Sequence, residues 1–449
     1  MSRRGEHQRS RDSVSRALES GTLRDVRRLI RDMEPGDVAH ILESTPPRYR
    51  YVLWQLLEGS QEAEVLNELG EELKLEFLQT MAPDQVAQIT EELDDDDVAD
   101  ILQQLPEAFT QRVLETMDEQ DRARLEQVMV YAEDTAGGLM NTDTISIRAD
   151  VTLDVVLRYL RRHDEIPEMT DALIVVSRDD RYVGLLPIRT LLVSDPGASV
   201  RELMLTQRNP IPTDMPDDEV ARLFERNDWV SAPVVDEQGY VVGRITIDDV
   251  VDVIREDGDH SFMSMAGLDE DDDTFAPAVK TARRRAVWLG VNLLTAFIAS
   301  GVINLFQGTI QKVVALAVLM PIVASMGGIA GTQSLTVLVR ALAMGRVNDS
   351  NARWLLGREV LAGAMNGVVW ALVVAVAAAL WFGDGTLGLI IALALIINLV
   401  TAGFIGAILP ISLQRMKIDP ALAGGVVLTT VTDVVGFVAF LGLATVFYG

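Results

Sequence analysis

The sequence predicts a multidomain membrane protein in four parts. These are an all-α helical-repeat N-terminal domain (13–131), an α/β domain built as a tandem pair (132–254), an acidic connector helix (255–280) and a transmembrane domain of five α-helices (281–449). Three observations predict this. Charge is partitioned: of 39 Lys/Arg and 66 Asp/Glu, only 10 and 5 lie in 281–449, so the first 280 residues carry 29 against 61, a net of −32. Five apolar stretches, each long enough to cross a hydrocarbon core of about 30 Å, crowd into the C-terminal part. Two internal repeats of different length precede them.

The shorter repeat lies in the first part. Pro35-Gly36-Asp37-Val38-Ala39-His40-Ile41-Leu42 is echoed by Pro83-Asp84-Gln85-Val86-Ala87-Gln88-Ile89 and by Asp95-Asp96-Asp97-Val98-Ala99-Asp100-Ile101-Leu102. The shared Val-Ala-x-Ile core at helical spacing predicts short amphipathic helices stacked as hairpins, a small solenoid. Acids gather around the third copy: Glu91, Glu92, Asp94, Asp95, Asp96, Asp97 and Asp100. Asp96 and Asp100 are four apart and share a helix face. Such a run is either a solvated face or a cation site.

The longer repeat runs from Leu139 to Ile254. Leu139-Met140 recurs as Leu203-Met204, and each is followed by a helix, an apolar strand, a turn and a strand-to-helix unit. Leu173–Val176 with Arg181–Leu186 form one pair, and Ala232–Gly243 with the following Ile245–Val250 the other. The order β-α-β-β-α, twice, resembles a tandem pair of cystathionine-β-synthase-type (CBS) domains, which bind ligands rather than catalyse. The stretch Arg255–Lys280 is rich in acids, including Glu256, Asp257 and Asp259, and is either a gating helix or an acidic linker.

Composition excludes several chemistries. A surface this acidic repels phosphates, so no nucleic acid is expected as a partner. No cysteine is present, which removes disulfides and thiolate metal sites. His7, His40, His163 and His260 all precede the apolar segments, so a His-dependent intramembrane hydrolase is excluded and no enzymatic activity is expected. The polar start of the chain carries no signal peptide pattern.

The spans are expected at Ala286–Phe306, Val313–Val339, Val360–Phe382, Leu387–Leu413 and Ala421–Phe447. Bases concentrate before the first (Lys280, Arg283, Arg284, Arg285), in the second connection (Arg340, Arg346, Arg353, Arg358) and in the fourth (Arg415, Lys417). The first connection has only Lys312, and the third has Asp384 and no base. The positive-inside rule then places the N-terminus in the cytosol and the C-terminus outside a multi-pass inner membrane protein.

Gly327, Gly328 and Gly331 interrupt the second span beside Thr332 and Gln333, with Pro321 earlier. Either the helix breaks there and lines a cavity, or the small residues allow tight packing. Asn398 in the fourth span is an interhelical hydrogen bonder or a ligand. Asp433, in Thr429-Thr430-Val431-Thr432-Asp433, is the only ionisable residue expected in the core of any span, and no base is placed to pair with it. A bare carboxylate there costs several kcal/mol, so it is neutral, faces water or meets a cation. One carboxylate is too few for a divalent ion, whereas two copies across a twofold axis supply two. Mg²⁺ dehydrates reluctantly, which suits a carboxylate flanked by the hydroxyls of Thr429, Thr430 and Thr432.

The whole arrangement resembles the MgtE-type magnesium channel family. The motifs that carry the resemblance are Gly327-Gly328-Ile329-Ala330-Gly331-Thr332-Gln333-Ser334-Leu335, Asp419-Pro420-Ala421-Leu422, and Thr430-Val431-Thr432-Asp433-Val434-Val435-Gly436-Phe437. The resemblance implies a homodimer in which Asp433 binds hydrated Mg²⁺ in the pore. It further implies that cytosolic Mg²⁺ bridges acids of the helical domain, the CBS pair and the connector to close that pore. By position those acids are Asp96, Asp97, Asp100, Asp218, Asp228, Asp249 and Asp252, with Asp257 and Asp259 in the connector.

This chain departs from the family at Ile329 and Thr332, where Asn is usual, and at Val426, where Pro is usual. These departures bear on selectivity among divalent ions. The family's CBS pair also binds ATP. Gly243-x-x-Thr246-x-x-Asp249 fits the nucleotide pattern and Arg189 is retained, but Thr190 stands where Asp is usual and Ala172 where an aromatic stacks the base. Besides a gated Mg²⁺ channel, the sequence admits a proton- or Na⁺-coupled divalent-cation transporter, or a membrane-anchored CBS sensor without transport.

Overall fold

Apolar residues at helical spacing, punctuated by proline, shape the first part of the chain. The structure, a computed structural model, describes residues 23–57, 60–90, 93–163, 166–268, 275–348 and 350–448. Glu91, Glu92 and the acids from Asp269 to Asp273 lie outside them, as does the expected helical start at Ser13. The chain divides into two compact units, one built from residues up to 258 and the other from 259–268 and 277–448.

The first unit opens with short helices: α1 (Leu23–Arg31), α2 (Pro35–Glu43), α3 (Pro47–Trp54), α4 (Ser60–Asn67), α5 (Glu71–Leu78), α6 (Pro83–Thr90), α7 (Asp95–Gln103), α8 (Glu107–Thr116) and α9 (Glu119–Val128). Pro35, Pro47 and Pro83 each stand at a first turn, where a missing N–H is harmless. The repeat is structural. Val38, Ala39, Ile41 and Leu42 of α2, Val86, Ala87 and Ile89 of α6, and Val98, Ala99, Ile101 and Leu102 of α7 are all buried. Helices pack on the next but one, α2 on α4, α4 on α6 and α6 on α8, which is the stacking expected of a solenoid.

The α/β part follows as β1 (Ser146–Arg148), α10 (Leu153–Leu160), β2 (Ala172–Val176), β3 (Tyr182–Pro187), α11 (Ile188–Val193), α12 (Val200–Leu203), β4 (Ile211–Pro212), α13 (Asp217–Asn227), β5 (Ser231–Val235), β6 (Val241–Thr246) and α14 (Ile247–Ser264). It forms two three-stranded sheets, β1-β2-β3 and β4-β5-β6. In each, the first strand pairs parallel and the second pairs antiparallel, with a register shift at the same point, Val175/Val176 and Val234/Val235. The duplication is therefore real.

The leading segments, however, are exchanged. Met140 packs in the core of the second copy with Ile211 and Phe224, and Met204 packs against the core of the first. Asn141 exchanges backbone bonds with Arg244, and Leu205 with Leu185. Glycine permits this approach. A Cβ on Gly184 would lie 2.6 Å from the Leu205 carbonyl, and one on Gly243 2.8 Å from that of Asn141. α14 runs unbroken past the expected boundary at Ile254, because no proline lies between Ile247 and Ser264 and the lone Gly258 does not stop it.

The second unit holds α15 (Ala278–Leu305), α16 (Gln307–Lys312), α17 (Ala315–Ala343), α18 (Ala352–Phe382), α19 (Gly385–Arg415) and α20 (Pro420–Tyr448). All but α16 are long and apolar enough to cross a membrane. α19 is central and packs on α17, α18 and α20. A Cβ on Gly363 of α18 would lie 2.5 Å from the Leu399 carbonyl, and one on Gly403 of α19 2.5 Å from that of Glu359, so these helices cross almost backbone to backbone.

Two expectations change here. α17 is continuous through its glycines, so the alternative of a broken helix gives way to close packing. The helices also extend beyond the apolar windows, so Glu359, just before the expected start of the third span, lies inside α18 and is buried. Glu359 is thus a second acid within a span helix, beside Asp433.

Candidate functional site

Acids from α7 and from the start of α14 meet in the first unit. Asp94 precedes α7, while Asp96 and Asp97 sit in its first turn. One oxygen from each of the three lies within 4.8 Å of the others, a spacing that fits oxygen ligands around one cation. Asp96 is 5% exposed, and its Oδ1 has no hydrogen-bond partner. Asp97 accepts a bond from Asn67 Nδ2 at 2.9 Å. Across from them, Asp249 accepts from the backbone N–H and the hydroxyl of Thr246, at 3.3 and 2.8 Å. Thr142 ties the layers together by donating to Asp95.

Beside them lies a cavity of about 740 Å³ whose walls include Asp94, Asp97, Asp143, Glu168, Thr246 and Asp248. The basic side chain in that wall is Arg244, and it is engaged by both oxygens of Asp143, at 3.0 and 3.2 Å.

The electrostatics follow from this crowding. Burial, with Asp249, Asp97 and Asp94 as neighbours, pushes the Asp96 carboxyl well above the usual carboxylate range. Burial first and Asp94 second push Asp97 up to about 6, although Lys74 pulls the other way. Burial and Asp248 raise Asp249 to about 7. Without a cation the cluster is costly to ionise in full.

The other expected acids are placed differently. Asp100 is half-buried one turn along α7. Asp218 pairs with Arg222 at 2.9 Å on the same helix. Asp228 is exposed and ends α13 in the left-handed conformation, φ 51°. Asp252, Asp257 and Asp259 lie exposed along α14, with Asp252 3.8 Å from Arg255. Of the nine expected acids, the structure thus gathers Asp96, Asp97 and Asp249. Asp94 stood in the acidic run but was not singled out for the site. Asp143 and Asp248 were missed, because they come close only when the α/β pair folds against α7. A second grouping forms around Asp217, whose carboxyl is raised by burial and then by Asp257, Asp218 and Asp134.

The nucleotide pattern divides. Thr246 and Asp249 bond one another at the acidic cavity. Arg189 stands near Arg208, which lies over the Trp229 ring at 4.6 Å.

In the second unit, Asp433 is half-buried on α20. Thr429 and Thr430, four and three residues before it, share its face, whereas Thr432 is fully buried and turned away. Thr429 donates its hydroxyl to the Gly425 carbonyl at 3.0 Å, and Thr430 to Val426 at 2.7 Å. Their protons are thus held by the helix backbone, and the oxygens remain as acceptors, as the waters of a hydrated cation require.

The glycine motif splits by face. A Cβ on Gly327 would lie 2.2 Å from Asn398 Nδ2, and one on Gly331 2.8 Å from Leu428. Asn398 itself is buried and donates to the Val323 carbonyl at 2.8 Å. These three residues belong to the interior. Thr332 and Gln333 are exposed, together with Ser325 and Thr336, around a groove of about 650 Å³ that also contains Gly328 and the exposed apolar Ile329 and Val337. A row of exposed polar groups along a span helix is costly against lipid and needs water or another protein surface.

Comparison with known proteins covers both units. The MgtE family, described as a divalent cation transporter, matches residues 320–443; the MgtE intracellular N domain matches 33–134; and the CBS domain matches 136–195 and 200–256. The magnesium transporter MgtE of Bacillus subtilis is 31% identical over 430 residues, 96% of this chain and 95% of that one. The magnesium transporter MgtE of Thermus thermophilus is 33% identical over 437 residues, covering 96% and 97%. Among solved structures, the cytosolic domain of the Mg²⁺ channel MgtE in complex with ATP is similar, at 37% identity and TM-score 0.50, over 54% of this chain and 99% of that one.

Proposed function

Because the chain belongs to the MgtE family of magnesium transporters, we propose that it passes Mg²⁺ across the cytoplasmic membrane as a channel. In this reading two copies form the pore, with Asp433 as its cation site and cytosolic Mg²⁺ closing it. The observation that carries the reading is Asp433, flanked by the acceptor oxygens of Thr429 and Thr430, together with an exposed face of α17 that carries Ser325, Thr332, Gln333 and Thr336. Both faces need water or a second copy, and two copies bring two carboxylates to one hydrated ion. The N-terminus is cytosolic in this reading, which puts the acidic unit where it meets cytosolic Mg²⁺.

Closure is assigned to the acids. Asp96, Asp97 and Asp249 repel one another when ionised, and a divalent cation among them converts that repulsion into attraction. Binding then favours the compact arrangement of α7 against the α/β pair by mass action. The unpartnered Asp96 Oδ1 and the clustered carboxylates of Asp94, Asp96 and Asp97 fit such an ion. Asp100, Asp218, Asp228, Asp252, Asp257 and Asp259 contribute at the periphery. A nucleotide would meet Arg189 and Arg208 with its phosphates. At the other end of the pattern Thr246 and Asp249 bond one another beside the acidic cavity.

Single-channel recording of the reconstituted full chain tests this. Discrete Mg²⁺ openings at fixed pH, suppressed by millimolar Mg²⁺ on the cytosolic side, are expected. Slow flux driven by a pH or Na⁺ gradient would replace the channel with a coupled transporter, and absence of flux would leave only a sensor.

A further inference from the structure

Glu359 is a buried carboxylate on a span helix that the reading above does not use. It lies in α18, 8% exposed, and its Oε2 accepts a hydrogen bond from Ser334 Oγ of α17 at 2.8 Å. Arg358 Nε stands 3.9 Å from its other oxygen. A carboxylate at such a place is destabilising, and an aliphatic side chain would fill the space without that penalty. Its use must lie in what it holds.

Ser334 follows Thr332 and Gln333 directly, yet it is buried while they are exposed. A helix turns about 100° per residue, so a grip on Ser334 from behind sets where Thr332 and Gln333 point. Asn398 and Leu428 of the neighbouring helices seat against Gly327 and Gly331, and Leu335 and Val339 pack with Leu428, so α17 is also held by packing. The contact with α19 is a close one of small groups, where a Cβ on Gly406 would lie 2.7 Å from the Gly331 carbonyl and 2.8 Å from Ser334 Cβ. To this packing the Ser334–Glu359 bond adds a directional restraint on rotation.

We propose that Glu359 is a positioning residue for cation passage, which acts through Ser334 to fix the rotation of α17 and present Thr332 and Gln333 to the path. The inference rests on the transport reading. It concerns the neutral grip of an oxygen on a hydroxyl rather than the charge of Glu359, and this makes it testable by near-isosteric change.

The test uses the full chain in liposomes and measures initial Mg²⁺ uptake together with the preference for Mg²⁺ over Mn²⁺, for parent, Ser334→Ala, Glu359→Gln and Glu359→Leu. Only variants whose melting temperature and elution match the parent are compared. A structural role alone would lower the amount of folded protein without moving the preference ratio. Ser334→Ala is expected to lower the ratio about three- to tenfold, the range set by losing one interhelical hydrogen bond. Glu359→Gln, which keeps an acceptor oxygen, is expected to stay near the parent, and Ser334→Ala combined with Glu359→Gln to be no worse than Ser334→Ala alone. An unchanged ratio in Ser334→Ala, with the parent conducting, overturns the proposal. So does a Glu359→Gln variant as impaired as Glu359→Leu, because charge rather than grip would then matter. Absence of Mg²⁺ flux in the parent removes the transport reading, and this inference with it.

Discussion

Asp419 meets His260 at 3.3 Å while the same carboxylate accepts the backbone N–H groups of Ala421 and Leu422, at 2.8 and 3.1 Å. One side chain therefore caps α20, the helix that carries Asp433, and also touches the end of α14. Ser264 lies 3.4 Å from the same imidazole nitrogen, and Gly267, at φ 68°, packs against Trp288 of α15. A movement of the end of α14 would thus reach the start of the helix bearing the proposed pore site.

His260→Ala should weaken that link and leave the cap in place. Both partners are partly exposed, 43% and 30% at the side chain, so the pair is a weak one. The Mg²⁺ concentration that half-closes the proposed channel should rise by about twofold to fivefold, the range for a weak exposed pair. Asp419→Ala should do the same and also lower stability by about 1 kcal/mol through the lost cap. Patch recording over a Mg²⁺ series checks the first effect and thermal melting the second. Closing curves identical to the parent in both variants would show that the contact transmits nothing.

The acidic cluster predicts a pH dependence of stability. Asp249 holds its proton up to about 7 in the folded chain, against an ordinary 3.8, because of burial and Asp248. Between those values the folded state binds a proton that the unfolded state has released. Stability is therefore greatest at the acid end and is lost as pH rises through the window. In the absence of divalent cations, the melting temperature of the full chain should fall from pH 5 to pH 8, by an amount on the order of a few kcal/mol in stability. Millimolar Mg²⁺ should restore it most at pH 8. Asp249→Asn should flatten the pH slope and blunt the Mg²⁺ response, whereas Asp228→Asn and Asp252→Asn, at exposed sites, should change both little. Equal responses in all three would show that the cluster is a solvated face.

Asp433→Ala should abolish Mg²⁺ uptake while the protein elutes and melts as the parent does. Its carboxylate is half-buried, with acceptor hydroxyls on the same face. Near-normal uptake into liposomes would reject it as the cation site.

Neighbouring glycines in α17 should respond oppositely to a methyl group. Gly327→Ala places a Cβ 2.2 Å from Asn398 Nδ2, and overpacking of this kind costs about 1–3 kcal/mol. A Cβ at Gly328 meets nothing within 4 Å, so Gly328→Ala should melt as the parent does or slightly higher. Equal melting temperatures for the two variants would contradict the packing.

The sequence by itself determined whatever depends on local pattern. Helical spacing in the Val-Ala-x-Ile repeats, the doubled β-α-β-β-α order, the five apolar stretches and the unpaired Asp433 all follow from residues near one another in the chain. Periodicity and the cost of burying charge act over a few residues, so they are written in the order of those residues. Only the tertiary structure decided which distant groups meet. It selected Asp96, Asp97 and Asp249 from a longer set of acids and added Asp94, Asp143 and Asp248. It turned Gly327, Gly331, Asn398 and Thr432 inward while leaving Thr332 and Gln333 exposed. It drew Glu359 into a helix that hydropathy alone began one residue later, since an apolar window ends at a charge whereas a helix continues until its backbone hydrogen bonds do. The exchanged positions of Met140 and Met204 were equally hidden, because a leading segment that pairs with the other copy has the same local sequence as one that pairs with its own.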